Sequence, residues 1–140
     1  MSKNLLSVPM LISVKSSEEA SMAFKSGADF IDAKEPSGGA LGKLPLNKIK
    51  EIIATLKVVN FSGKLTATYG DNFEKKINLN SNIFFSYFFL GLDAIKIGFD
   101  ARGSSHSEQA LIELVDLYNE FFSFYKKNKI AGNPTQIIPV

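Results

Sequence analysis

Asp29-Phe30-Ile31-Asp32-Ala33-Lys34-Glu35-Pro36-Ser37-Gly38-Gly39-Ala40-Leu41-Gly42 is the stretch that decides the fold. A short apolar run ends in charged residues and then breaks into a turn rich in Pro and Gly, as a buried strand does when it delivers side chains to a site. Successive strand side chains point to opposite faces, so Phe30, Asp32 and Lys34 share one face and Ile31 and Ala33 the other. Asp32 and Lys34 then lie in line, roughly 6.6 Å apart along the axis at about 3.3 Å per residue. Pro36 with Gly38, Gly39 and Gly42 stops the strand and prevents an immediate helix.

Outward from that stretch, strands and helices alternate. Leu11-Ile12-Ser13-Val14 reads as strand one, near 11–14. Ser16 caps a helix with Glu19 as its capping-box partner, Ala20, Ala23 and Phe24 form its packing face, and Gly27 closes it. Strand two covers 28–34. Pro45 then leads into a helix with Ile49, Ile52, Ile53 and Leu56 at i, i+3, i+4 and i+7. Strand three, 65–69, runs into Gly70-Asp71 and an Asn-rich polar loop. A helix from about Asn80 carries Phe84, Phe85, Phe88 and Phe89 and ends at Gly91, and strand four follows at 94–98. The capping box Ser105-His106-Ser107-Glu108 opens a helix through Leu111, Leu114, Val115, Tyr118, Phe121 and Phe122 to Lys126, Lys127 and Lys129. Gly132-Asn133-Pro134 breaks it, and Gln136 to Val140 is strand five.

Phe30, Ile31, Ile52, Ile53, Ala67, Ile95, Ile97, Leu114 and Phe121 are the expected core. No repeat stands out beyond the alternation and no linker marks a second domain, so 1–140 reads as one domain. Strict alternation predicts an α/β fold with a parallel sheet, and right-handed crossovers leave two architectures. A doubly wound five-stranded sheet would finish with a helix over its last strand, whereas this sequence reaches residue 140 inside a strand. About half of a (β/α)8 TIM barrel, four βα units plus strand five, fits the chemistry at the strand ends better.

A chain of 140 residues, 45% hydrophobic and 21% charged, can bury a real core. A net charge of +2 is too small to imply nucleic acid, and the Lys cluster at 126–129 falls where a helix end favours cations. The absence of Cys removes disulfide and thiol chemistry and agrees with a cytoplasmic protein, and one His with no Cys argues against zinc. Met1 to Pro9 lacks the features of a secretory signal, and the apolar run Ile83 to Leu90 is far short of the roughly 20 residues that span a bilayer. No membrane association is expected.

Barrel enzymes draw their functional groups from the C-terminal ends of the strands, and Lys34, Asp71 and Lys96 fall at or just past such ends. Lys96 lies between Ile95 and Ile97 and faces opposite to both, so it points inward if the isoleucines pack on helices. A desolvated lysine, or one beside another cation, is pushed toward its neutral, nucleophilic form. The alternatives are structural. Lys34 as a solvated loop residue paired with Glu35 or Asp32, Lys96 snorkelling at a strand end, and Asp71 capping its turn remain open. Asp32 reads as the ion-pair partner that fixes a lysine. The Gly38–Gly42 run matches no phosphate-loop spacing, and His106 reads as a surface residue within its capping box.

Three stretches in order, Asp29 to Gly42, Thr66-Ala67-Thr68-Tyr69-Gly70-Asp71 and Gly91-Leu92-Asp93-Ala94-Ile95-Lys96-Ile97-Gly98, resemble the (5-formylfuran-3-yl)methyl phosphate synthase family. The resemblance runs from about Leu11 to the last residue but covers only the first part of a family member, which is longer and forms a complete barrel. It implies a lyase of methanofuran-type cofactor biosynthesis that condenses two molecules of glyceraldehyde 3-phosphate, losing phosphate and water, with no metal or organic cofactor. It further implies that Lys34 is the Schiff-base lysine and Lys96 the proton-transferring one, with Asp32 and Asp71 in support. The expected partners are the small-molecule sugar phosphate and either further copies of the chain or a second half-barrel. A competing expectation is a split or truncated barrel with no activity of its own.

Overall fold

The computed structural model describes residues 7–71, 81–99 and 104–140, with the side chains of 81–84 and 104–107 excepted. Five strands, β1 (Leu11–Val14), β2 (Phe30–Ala33), β3 (Lys64–Thr68), β4 (Ala94–Ile97) and β5 (Gln136–Pro139), form one sheet in the order β1-β2-β3-β4-β5. Every neighbouring pair is parallel. Among the described residues four α-helices, α1 (Ser17–Lys25), α2 (Leu46–Val58), α3 (Ser81–Phe88) and α4 (Ser104–Lys127), lie in the crossovers. A doubly wound sheet needs a point where strand order reverses. This sheet has none, so it is singly wound and compatible with about half of a (β/α)8 barrel.

β1 matches its expected bounds, β3 is shifted one residue toward the start of the chain, and β2, β4 and β5 are shorter than expected. β2 begins at Phe30 rather than residue 28, because Asp29 is used in a turn in which its Oδ2 accepts from Met10 N at 2.9 Å. Lys34 lies one residue beyond the strand, although its N–H still donates to Val14 O at 3.0 Å and continues the ladder with β1.

Local signals explain the helices. Ser16 Oγ accepts from Glu19 N at 3.2 Å, as a cap should, while Glu19 Oε2 reaches back to Lys15 N at 2.8 Å, one residue ahead of the cap. α2 buries Ile49, Ile52 and Leu56, each worth about 1.5–3 kcal/mol, while Ile53 is only partly covered. The capping box expected at Ser105–Glu108 falls largely on side chains outside the described residues, as do Phe84 and the Asn-rich loop; α4 itself begins at Ser104. Among the described residues no helix is long and apolar enough to cross a membrane.

The two faces of the sheet differ sharply. Ile31, Ala33, Ala67, Ile95 and Ile97 are fully buried and join one core cluster with Ala20, Ala23, Ile49, Ile52, Leu114 and Phe121 from the helices. On the other face Leu11 is 50%, Phe30 37% and Ile138 42% exposed. Phe30, expected in the core, therefore stands partly in solvent. Its strand is right, but the face it shares with Asp32 is covered unevenly: Asp32, Thr66 and Thr68 are buried there and Phe30 is not. The outer edges of β1 and β5 likewise pair with no strand among those residues.

Candidate active site

The face that carries Leu11, Phe30 and Ile138 also carries the polar chemistry. Parallel register places Asp32 of β2 beside Thr66 of β3, and Thr66 beside Ala94 of β4. Lys96, one pleat further along β4, aligns with Thr68. From these positions three side chains meet. Lys96 Nζ donates to Asp32 Oδ2 at 2.8 Å, and Thr66 Oγ1 donates to Asp32 Oδ1 at 2.6 Å. The side chain of Asp32 is 2% exposed and that of Lys96 21%, so the carboxylate is enclosed while the ammonium keeps one side toward solvent. Both carboxylate oxygens are satisfied by the donors that an enclosed charge requires.

This bond reaches from β2 to β4 across β3, so side chains from alternate strands meet on one face of the sheet. The group in contact with Lys96 is a carboxylate, however, and not a second cation. Asp32 fixes Lys96 and leaves its own strand's Lys34 aside. Lys34 is half-buried just past the end of β2, and its ammonium has no bonded partner among the described residues. Glu35, one of the partners considered for it, instead turns back to accept from Ser37 N at 3.1 Å and Ser37 Oγ at 2.7 Å. Those Ser37 bonds hold its carboxyl below the usual glutamate range.

Asp71 is elsewhere. It does not touch the Asp32–Lys96 pair. Its Oδ1 accepts from Leu41 N at 2.8 Å, and its Oδ2 fills the space a Cβ on Gly39 would need, so it ties the β2–α2 loop rather than its own turn. The loop is bound to β3 at further points. Gly70 N donates to Leu41 O at 2.7 Å, and Gly42 O accepts from both Thr68 Oγ1 at 2.6 Å and Glu35 N at 2.9 Å. The Gly-rich run is thus a strapped turn packed against the end of β3.

Sequence reasoning missed Thr66 and Thr68 as site residues. The signal was available, because both alternate onto the face that carries Asp32, and a hydroxyl beside an enclosed carboxylate is a natural donor. It also missed the tyrosines behind β3. Tyr69 and Tyr87 meet edge to face at 5.1 Å, Tyr87 Oη donates to Leu44 O at 2.7 Å, and Lys43 Nζ lies 4.7 Å from the Tyr69 ring centre. Burial pushes both phenols up to about 12, with Tyr69 adding to the effect on Tyr87. Among the described residues no three His, Asp or Glu side chains gather as metal ligands.

An enclosed carboxylate bonded to a lysine, with a second lysine just past a strand end, is an arrangement for amine and proton chemistry on a small molecule. The family model for 4-HFC-P synthase matches residues 10–132. A protein of Methylorubrum extorquens that carries the name of a (5-formylfuran-3-yl)methyl phosphate synthase is 49% identical over 45 residues. That match covers 32% of this chain and 19% of the relative, so the chain aligns with less than a fifth of that protein's length.

Proposed function

Because the chain belongs to the 4-HFC-P synthase family, we propose that it forms the lysine-bearing wall of an enzyme that makes (5-formylfuran-3-yl)methyl phosphate. On this reading the substrates are two molecules of glyceraldehyde 3-phosphate, bound at the C-terminal ends of the strands in a cytoplasmic enzyme of methanofuran-type cofactor biosynthesis. Lys34 Nζ adds to the aldehyde carbon and, as water leaves, forms an imine. The imine draws electrons from the neighbouring carbon, whose proton is lost, and phosphate then leaves from the next carbon along. Proton transfer moves the carbonyl of the second triose phosphate to its central carbon, and the terminal enol carbon left by phosphate departure adds there. Closure of the ring with loss of two waters gives the furan, and hydrolysis of the imine returns its aldehyde and frees Lys34. Lys96, backed by Asp32, donates and accepts the protons. The electron sink in such chemistry is the protonated imine.

The observation that carries this reading is the bonded set Lys96–Asp32–Thr66, with Lys34 two residues beyond Asp32. The test is borohydride reduction in the presence of glyceraldehyde 3-phosphate, followed by peptide mapping. The adduct is expected on Lys34, and Lys34→Ala and Lys34→Arg should both abolish it, since a guanidinium is no nucleophile at neutral pH. An adduct on another residue, or trapping that survives Lys34→Ala, sinks the assignment.

A second reading is favoured by the exposed Leu11, Phe30 and Ile138 and the two open edges. On that reading the chain works only when further strands, from another copy or a complementary half-barrel, pair with β1 and β5 and close the site. Sedimentation and trapping with and without the complementary strands separate the two. A cooperative monomer that is trapped unaided removes the need for a partner.

A further inference from the structure

We propose that Thr66 is a positioning residue that assigns Asp32 to Lys96 and thereby leaves Lys34 free to act as the nucleophile; the inference rests on the reading just given. Two amines compete for one enclosed carboxylate. Lys34 follows Asp32 by two residues, just past the end of β2, and Lys96 reaches Asp32 from β4 across β3. An imine-forming amine must be free of a carboxylate that would hold it as an ammonium, whereas a proton donor benefits from one. Something must therefore decide which lysine Asp32 takes.

Thr66 stands where that decision is made. It is the residue of β3 aligned with Asp32, 8% exposed, with Ala94 on its far side. Its Oγ1 occupies Asp32 Oδ1 at 2.6 Å from the β4 side, and Oδ2 meets Lys96 at 2.8 Å. β-branching restricts the Thr66 side chain to few rotamers, so the hydroxyl is a fixed donor. With one oxygen held by β3 and the other by the lysine of β4, neither is left over for Lys34. Serine at this position keeps the donor; valine keeps the shape and removes it.

The test uses the full chain with 15N-labelled lysine and the variants Thr66→Val and Thr66→Ser. In the wild type the Lys96 ammonium should give an ordered NMR signal. Thr66→Val should lower its order parameter and slow borohydride trapping of glyceraldehyde 3-phosphate on Lys34 by roughly tenfold, the worth of one charge-assisted hydrogen bond. Thr66→Ser should return both toward wild type, and turnover should lose kcat rather than gain KM. If Thr66→Val does not fold, Thr66→Cys, a weak donor of similar size, replaces it. Lys96 order unchanged in the donor-deficient variant overturns the proposal. Failure of the wild type to trap substrate on Lys34 would instead count against the enzymatic reading, while the NMR comparison still decides whether Thr66 holds Asp32 to Lys96.

Discussion

Gly27-Ala28-Asp29-Phe30-Ile31-Asp32 and Gly91-Leu92-Asp93-Ala94-Ile95-Lys96 lead into β2 and β4, and the chain builds them alike. Each glycine follows a helix with φ in the left-handed region, at 85° for Gly27 and 87° for Gly91. Each next residue, Ala28 or Leu92, is buried in the core. Each aspartate then accepts from the backbone N–H of the preceding strand region, Asp29 from Met10 at 2.9 Å and Asp93 from Leu65 at 2.8 Å. The third residue of each strand faces inward, and only there do the units part in charge: Asp32 in one, Lys96 in the other, bonded to each other over β3. One backbone device, used twice, brings opposite charges to one point.

The comparison is tested most strongly at that bond. Lys96→Met leaves Asp32 enclosed with only Thr66, and is expected to cost about 3 kcal/mol in denaturant titration. The exchange Asp32→Lys with Lys96→Asp should recover much of that loss because the positions are equivalent, while turnover, which needs the amine in its own place, should not recover. Additive losses in this double-mutant cycle would show that the two lead-ins are alike in backbone only.

The next difference lies four residues before each glycine, at Ala23 in α1 and Tyr87 in α3, both buried. Tyr87 reaches across to Leu44 O, a bond with no counterpart at Ala23. Tyr87→Phe strands that carbonyl and should cost about 1–2 kcal/mol. A cost near zero would mean that water satisfies Leu44 and that the α3 unit gains nothing from its tyrosine.

Much of this was legible beforehand, and the exceptions have physical causes. The strand-helix alternation, the parallel sheet, the Ser16 cap and the shared face of Asp32 and Lys96 follow from local periodicity and side-chain chemistry. The pairing of Asp32 with Lys96 rather than Lys34 does not, because it depends on register across three strands and on a hydroxyl from the middle one. Phe30 was placed in the core because alternation shows that a side chain faces inward but not whether anything covers that face. Asp71 is open in the sequence between supporting the site and capping its own turn, and neither reading reaches its bonded partner Leu41, 30 residues away. The repeated lead-in was hidden because its residues are unlike at the positions facing core and site, and alike where backbone geometry requires it.

A smaller effect bears on the glycines that open both units. Nothing lies within 4 Å of a Cβ built on Gly27 or Gly91, so alanine meets only the backbone cost of the left-handed conformation, about 1 kcal/mol at each. Matched shifts in thermal midpoint for Gly27→Ala and Gly91→Ala would sharpen the equivalence. A large cost at one alone would break it.

The mildest consequence belongs to the α3 unit and appears only in alkali. Tyr69 and Tyr87 are raised by burial from an ordinary phenol value of 10 to about 12, so the fold favours their neutral forms. Their contribution to stability is fully present below pH 10, where the unfolded phenols are also neutral. It fades as pH rises from 10 through about 12, because the unfolded chain releases protons that the folded chain retains. Tyrosinate absorbance should therefore show these two phenols ionising late in the native chain, with the denaturation midpoint falling over the same interval. The Tyr69→Phe, Tyr87→Phe double variant should lose that alkaline decline. The α1 unit, with Ala23 at the equivalent position, has nothing to titrate there, so a decline of equal size in the double variant would place its cause outside the α3 unit.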